Sequence, residues 1–276
     1  MKLYMKSIKM IVLMAALTLA WGCSSEDDNN SSASDKYTTV ASPTAPGWGM
    51  DWHSNDNRPT WTAPDPSLFE TSMVLLMEIE EELMPYAGKN DLASAYIDGE
   101  CRALSQCNYL EPDAENGLLE PKAYFTLAIR GTHTEADKPV TINYYCQELK
   151  QLFSIENVFR FVPELVYGMN EEFAPPFLRY TTKYPVQDIL QIELPQNMPF
   201  VVSEDDKIAF FVGDECRGVE AVKVDEKDGT VFGYTYAKQV GETINIRYYS
   251  KQQALVYYLK QTIAATGQTQ KIKLDI

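Results

Sequence analysis

Two cysteines flanked by charged residues are the first candidates for catalytic side chains. The triplet Glu-Cys-Arg occurs at 100–102 and again at 215–217, inside a stretch that repeats at an offset of 115 residues. A cysteine acts as a nucleophile only as a thiolate, which requires a neighbouring base or a positively charged pocket. Neither copy has a histidine nearby, and the whole chain has 2 histidines. We therefore interpret Glu-Cys-Arg as a structural element.

Other catalytic signatures are absent from the sequence. It has no His/Cys cluster with zinc spacing, no Gly-x-Ser-x-Gly motif and no phosphate-binding glycine loop. The net charge of −15 makes carboxylates abundant everywhere, so paired carboxylates carry little information about acid/base catalysis. We expect a protein that is not an enzyme and that uses no metal or cofactor, and the acidic charge excludes nucleic acid as a partner. A hydrolase with two catalytic carboxylates remains an alternative.

Three tryptophans are the candidate ligand-binding residues. Trp48, Trp52 and Trp61 lie close together in a proline-rich segment that begins at Gly47. The prolines prevent a long helix, so we expect an extended lead-in. Exposed indole rings offer a large contact area for a glycan or a protein ligand. In the alternative interpretation the rings are buried against one end of the first domain.

Cys107 and Cys146 occur in the first copy of the repeat and have no counterpart in the second. Their joint presence suggests that they pair with each other as a disulfide, which an exported location would permit. Two free buried thiols are the alternative.

The N-terminus has the pattern of an export signal. Three lysines precede the apolar run Met10–Ala20, which is too short to span a bilayer. The sequence Leu-Ala-Trp-Gly-Cys23 that follows resembles a bacterial lipobox. The resemblance implies cleavage before Cys23 and acylation of this residue, which would anchor the protein to a membrane through lipid. An ordinary secretory signal is the alternative.

The repeat also predicts the fold. At 187–198 apolar and polar residues alternate with the period of a strand, and the segment at the same offset, 72–83, is therefore predicted as a strand although its composition favours a helix. The dipeptides Asp98-Gly99 and Gly213-Asp214 predict tight hairpins. Alternation places Glu and Arg of each triplet on one face, as an exposed ion pair, and the cysteine on the other face, toward a core.

We therefore predict an all-β protein with two tandem antiparallel β-sandwich domains, Ig-like or jelly-roll-like. The expected divisions are a lipoprotein signal peptide (1–22), an acidic flexible tether (23–46), a first domain with the Trp-rich lead-in (47–181) and a second domain (182–276).

Two further stretches resemble parts of known surface proteins. The acidic run after Cys23 is similar to the one in surface-exported lipoproteins of the Bacteroidota. The sequence Ala-Phe-Phe-Val-Gly-Asp-Glu-Cys-Arg-Gly-Val at 209–219 resembles a short all-β module that occurs in tandem in Bacteroidota cell-surface lipoproteins. The resemblance implies attachment to the outer membrane, facing the cell exterior. We expect a ligand-binding or adhesion module for a glycan or host protein, with a structural subunit of an outer-membrane complex or appendage as the alternative.

Overall fold

The chain folds almost entirely into β-strands. The computed structural model describes residues 35–169, 173–223 and 230–276, with 49% strand and 8% helix. The strands form four sheets, and most of the strand pairs are antiparallel. The predicted all-β fold class is confirmed.

The sixteen strands of the described residues follow one another along the chain with these bounds: β1 (Tyr37–Ala41), β2 (Thr71–Glu78), β3 (Leu92–Ile97), β4 (Glu100–Gln106), β5 (Asn108–Leu110), β6 (Lys122–Gly131), β7 (Pro139–Cys146), β8 (Gln151–Arg160), β9 (Val166–Tyr167), β10 (Val186–Glu193), β11 (Lys207–Val212), β12 (Glu215–Ala221), β13 (Thr230–Ala237), β14 (Thr243–Ser250), β15 (Leu255–Ala264) and β16 (Thr269–Lys273). Short 3₁₀ helices lie at Pro66–Leu68, Glu81–Tyr86, Ala114–Asn116, His133–Glu135 and Phe177–Tyr180. Within these described parts of the chain, no helix is long and apolar enough to cross a membrane.

The four sheets enclose two main hydrophobic cores. Sheets with the strand orders β5-β6-β2-β9 and β4-β3-β7-β8 form the first sandwich, and sheets with the orders β13-β10-β16 and β1-β15-β14-β11-β12 form the second. Leu75 and Phe125 are fully buried in the first core, and Leu190 and Phe210 in the second. The expected domain limits, 47–181 and 182–276, remain a prediction.

The sequence repeat corresponds to a repeat of strand pairing. The hairpin β3–β4 and the partner β7 of the first sandwich match the hairpin β11–β12 and the partner β14 of the second. Each hairpin has a register shift at the same place, between Ala95 and Tyr96 and between Phe210 and Phe211. β2 pairs in parallel with β9, as β10 does with β16. Among the described residues, which leave out 224–229, strand β5 has no counterpart in the second sandwich, and β1 has none in the first.

The hairpin turns have the backbone that their residues favour. Asp98 and Gly99 both adopt positive φ, 52° and 79°, and Gly213 has a φ of 60°. Glycine and aspartate tolerate this left-handed region better than most residues, and hairpins with two-residue loops require it. Local turn chemistry therefore fixes where β3 and β11 reverse.

The segment 72–83 begins as the predicted strand but does not end as one. β2 stops at Glu78, and Glu81–Tyr86 form a 3₁₀ helix that buries Leu83. Pro85 lacks a backbone N–H and cannot extend a ladder of hydrogen bonds, so the chain leaves the sheet before it. The turn places Glu82 in the lining of the cleft described below, and it places Glu80 near Tyr236 of the second sandwich.

The predicted flexible tether, residues 23–46, is wrong for residues 37–41. Strand β1 pairs antiparallel with β15 and forms the edge of that sheet, with Tyr37 opposite Leu259. The Tyr37 ring packs on Tyr257 with 5.0 Å between the ring centroids. An open sheet edge offers unpaired backbone groups, and the β-branched Thr-Thr-Val of β1 favours an extended chain. These two effects explain why this polar stretch is ordered.

Candidate functional site

The repeated aspartate forms a buried hydrogen bond with a tyrosine in each sandwich. The Tyr144 hydroxyl donates to Asp91 over 2.9 Å, and the Tyr248 hydroxyl donates to Asp206 over 2.8 Å. Backbone N–H groups of the flanking loops also donate to each carboxylate. Buried carboxylates are tolerated when their oxygens accept such bonds. The repeated aspartates are therefore groups that hold the loops to the sandwiches.

The arginine of each Glu-Cys-Arg triplet, predicted as exposed, is buried. The predicted ion pair within the triplet does form, between Arg102 and Glu100 at 3.1 Å and between Arg217 and Glu215 at 3.0 Å. Arg217 is 1% exposed and donates two bonds of 3.2 Å to Glu242. Arg102 makes the equivalent pair with Glu135, at 2.8 and 3.1 Å. These bonds hold the pKa of Glu135 at about 2. Two parallel N–H···O bonds compensate the desolvation of the guanidinium, so arginine rather than cysteine faces the interior.

The cysteines of the two triplets are poor nucleophiles. Burial raises the pKa of both the Cys101 and Cys216 thiols. Each thiol donates to the carbonyl oxygen two residues along the chain, Ala103 for Cys101 and Gly218 for Cys216. Cys216 lies on the outer face of its sheet with Phe211, and Trp48 packs over this face. The geometry agrees with a structural role for the triplet.

Cys107 and Cys146 lie in the same buried region of the first sandwich and are free thiols in the structure. Burial raises the pKa of Cys107 to about 12 and that of Cys146 to about 11, and the Asp91 carboxylate adds to both shifts. The Cys146 thiol donates to the Tyr86 carbonyl oxygen over 3.4 Å. The structure therefore corresponds to the free-thiol alternative, and the Cys107–Cys146 disulfide remains a prediction for the exported protein. Cys23, the predicted lipidation site, lies outside the described residues.

The Trp-rich lead-in runs across both sandwiches as a strap (residues 42–61). It starts on the second sandwich, where Ser42 N–H donates to the Ala254 carbonyl, and Trp48 contacts Phe211 edge-on. It ends on the first sandwich, where the Asp56 carboxylate accepts from Leu152 N–H over 2.7 Å. Backbone bonds and side-chain bonds at both ends therefore hold the strap between the sandwiches.

The three tryptophans of the strap have different environments. Trp52 is 7% exposed and packs edge-on against Tyr184 and Tyr236, with ring centroids 5.9 and 5.0 Å apart. Trp48 and Trp61 are half-buried. The three rings do not form one exposed binding surface, since the central one fills the joint between the sandwiches. Ligand binding by Trp48 and Trp61 remains a prediction.

A cleft opens beside Trp52, where the two sandwiches meet. This aromatic cleft has a volume of about 230 Å³ and is lined by Met50, Trp52, Glu82, Gly218, Val219, Glu220, Tyr234 and Tyr236. The strap, the 3₁₀ helix of the first sandwich, and strands β12 and β13 of the second contribute its walls. At Gly218 a side-chain methyl would collide with the Tyr234 carbonyl oxygen, so glycine is required for this close approach of the two strands.

The environment in and beside the aromatic cleft disfavours the ionised form of its carboxyl groups. Burial, with the Glu82 charge nearby, raises the pKa of Glu220 to about 7. Burial likewise raises the pKa of Glu80 to about 7, although Leu178 N–H donates to this carboxylate over 2.7 Å. The pKa of Glu82 is raised by burial and by Glu81. Among the lining residues that the structure describes, none is basic.

The cleft combines apolar ring surface with hydrogen-bond acceptors of negative charge. Such a combination can orient a ligand by its polar group while its apolar part contacts the rings. Sequence reasoning missed both Glu82 and Glu220, because the docking of the two sandwiches brings them together. One signal was present: Glu220 occupies the position of Ser105 in the first copy, so the copies differ there in charge.

The chain matches no protein-family model and no curated protein. Among solved structures, a candidate cell adhesion protein of Bacteroides fragilis NCTC 9343 is similar over 85% of this chain and 92% of its own length. The sequence identity is 8% and the TM-score is 0.26. A TM-score of this size supports no conclusion about fold or function.

Proposed function

We propose that the protein is a non-catalytic ligand-binding or adhesion module of the cell surface, and that it holds its ligand in the aromatic cleft. The observation that carries the proposal is the composition of this cleft, in which Trp52, Tyr234 and Tyr236 stand beside the carboxylates of Glu82 and Glu220. Ligand sites in proteins are concave, largely apolar and provided with a few converging polar groups. The cleft has each of these properties.

Surface display is the second part of the proposal. It rests on the basic and apolar N-terminus, the lipobox-like sequence before Cys23 and the acidic run after it. Acyl chains on Cys23 would attach the protein to the outer membrane, and export would orient it toward the cell exterior. Protease shaving of intact cells, followed by immunoblotting, tests this part. Protection of the protein in intact cells and digestion after lysis would contradict display.

The size of the cleft limits what it can accept. Its volume of about 230 Å³ lies below the ~300–1,000 Å³ of pockets that enclose drug-sized ligands. We therefore propose that the cleft receives one side chain or one small head group of a larger partner. The rest of the partner would lie on the surface around the opening.

The test is binding to arrays of glycans and extracellular-matrix proteins. The variants Glu220→Gln and Tyr234→Leu change the cleft, whereas Glu204→Gln removes one charge from an exposed position outside the lining. We expect the array signal to fall for the first two variants and to remain for the third. If all four proteins are folded at the assay temperature, as circular dichroism shows, and give an equal signal, the cleft is not the binding site of the proposed function.

A hydrolytic enzyme is the second candidate, because two carboxylates line one cleft. A hydrolase of this type separates the pKa values of its acid and its base or nucleophile. Here the pKa values of Glu82 and Glu220 are both raised, which favours binding over catalysis. Turnover of aryl glycosides by the wild type, lost in Glu220→Gln, would favour the enzyme instead.

A further inference from the structure

We infer that the aromatic cleft recognises an organic cation, namely an alkylammonium group. The group could belong to a lysine side chain of a protein partner or to a free amine. The inference rests on the proposed function, since it specifies the chemistry of the ligand that the same cleft would hold.

The first argument is unbalanced charge. Glu82 from the first sandwich and Glu220 from the second line the same cavity, and Glu80 lies close enough to act on the same Tyr236 phenol. No salt bridge between the described residues includes any of these three carboxylates. Two other partly or fully buried glutamates have such a partner: Glu135 pairs with Arg102, and Glu242 with Arg217. The buried aspartates Asp91 and Asp206 instead accept hydrogen bonds from a tyrosine hydroxyl and from backbone N–H groups. Among the described residues, the Glu82 and Glu220 carboxylates that line the cleft therefore have no ion-pair partner, whereas Glu80, which lies outside the lining, is near Arg179.

The second argument is the arrangement of the rings. Trp52 and Tyr236 meet at an interplanar angle of 86°, with 5.0 Å between their centroids, and thus form a corner of the cleft. Tyr234 contributes a further wall. Aromatic faces attract ammonium groups through the ring quadrupole, and the attraction strengthens where water is excluded. The corner suits a cation with an alkyl chain, because the chain packs on the rings while the charge meets the carboxylates.

Other ligand classes fit the cleft less well. A neutral polyol could pack against the aromatic rings, but it would leave the negative charge of the carboxylates without a cation. An anion would be repelled by them. In the described residues, no group of three or more His, Cys, Asp or Glu side chains is placed to hold a metal ion. An organic cation is the ligand class that complements both the negative charge and the aromatic surface of the cleft.

The titration behaviour of the cleft agrees with this inference. Glu220 faces the Glu82 carboxylate and the phenol of Tyr236, and Glu80 faces Glu82 and Arg179. Burial raises the pKa of Glu220 and Glu80 to about 7, so both are partly protonated at neutral pH. A bound cation favours the ionised carboxylates. Binding should therefore release protons and tighten as the pH rises from 6 to 8.

The test is isothermal titration calorimetry on the full-length protein in a neutral detergent. The probes are Nα-acetyl-lysine methylamide, 1,5-diaminopentane, and Nα,Nε-diacetyl-lysine methylamide as the neutral isostere. We expect at least one cationic probe to bind about tenfold or more tightly than the neutral isostere, a difference of ~1.4 kcal/mol. Glu220→Gln should weaken binding of the cationic probe about tenfold, and Glu204→Gln should leave this binding unchanged. Binding of the lysine derivative alone would identify a protein side chain as the source, and binding of the diamine alone a free amine.

Equal binding of the neutral isostere and the cationic probes would overturn the inference, as would unchanged binding by Glu220→Gln. The array experiment separates this failure from failure of the proposed function. The arrays could yield a ligand without a cationic group whose binding is still lost in Glu220→Gln and Tyr234→Leu. That result would refute the inference of a cationic ligand but would leave the cleft as the binding site. If no ligand of any class depends on these residues, both proposals fail.

Discussion

Replacement of Glu220 by glutamine should stabilise the protein at alkaline pH and leave it unchanged at acidic pH. Burial, with Glu82 nearby, raises the pKa of Glu220 from 4.5 to about 7. The folded protein therefore holds this proton more tightly than the unfolded chain does. The stability contributed by the group is fully present below pH 4.5 and is lost as the pH rises through 7. Glutamine is uncharged at every pH, so the loss should not occur in the variant.

The size of the effect follows from the shift in pKa. A shift from 4.5 to about 7 corresponds to at most ~3.4 kcal/mol at ~1.36 kcal/mol per unit. The side chain is only partly buried, and screening by solvent reduces this value to roughly 1–2 kcal/mol. For a chain of this length, each kcal/mol changes Tm by about 2–4 °C. The expected gain in Tm for Glu220→Gln at pH 8 is therefore about 2–8 °C.

The assay is thermal unfolding followed by circular dichroism at pH 5, 6, 7 and 8. The difference in Tm between Glu220→Gln and the wild type should be close to zero at pH 5 and should increase through pH 7. Glu204→Gln is the matched control, because it removes the same charge from an exposed position. A constant difference at all four pH values, or the same increase in the control, would refute the electrostatic account of the cleft.

Three further predictions concern the joint, the buried arginine and the cysteines. Trp52→Ala removes a ring packed against Tyr184 and Tyr236 and should cost about 3–5 kcal/mol of unfolding free energy in urea titrations; a change no larger than that of Trp61→Ala would contradict this. Arg217→Met leaves Glu242 buried without its cation and should lower the unfolding free energy by about 3–5 kcal/mol. The additional substitution Glu242→Gln should recover part of this loss, and no recovery would contradict a stabilising Arg217–Glu242 pair. Alkylation of the unfolded, non-reduced protein should label Cys101, Cys107, Cys146 and Cys216 if all remain free thiols, as in the structure, whereas the predicted disulfide would leave Cys107 and Cys146 unlabelled in the mass spectrum.

Strands and turns that depend on residues close together in the chain could be predicted from the sequence. The apolar run of β11 and the turn pairs Asp98-Gly99 and Gly213-Asp214 have their origin in local geometry, so the hairpins were predicted correctly. The repeat itself corrected the helical propensity of 72–78, because strand period in one copy implies a strand in the other. Local rules failed in the triplets, since the bidentate partners Glu135 and Glu242 lie far along the chain from the hairpins.

The candidate site could not be predicted because it forms between parts that are distant in sequence. Glu82 follows β2 in the first sandwich, and Glu220 lies in β12 of the second. Only the docking of the sandwiches, with Trp52 of the strap between them, brings the two carboxylates to one cavity. The strap was recognised as an unusual segment, but the burial of Trp52 depends on Tyr184 and Tyr236, which no sequence pattern links to it.

The most direct test of the cleft as a binding site is a methyl NMR titration. Met50 lines the aromatic cleft, whereas Met198 packs against the core of the second sandwich and serves as an internal reference. With ¹³C-methyl-methionine labelling, addition of 1,5-diaminopentane or Nα-acetyl-lysine methylamide should shift the Met50 resonance with saturation and leave Met198 in place. The shift should be much weaker in Glu220→Gln. An unmoved Met50 resonance with both probes, or equal shifts in the wild type and Glu220→Gln, would contradict the account.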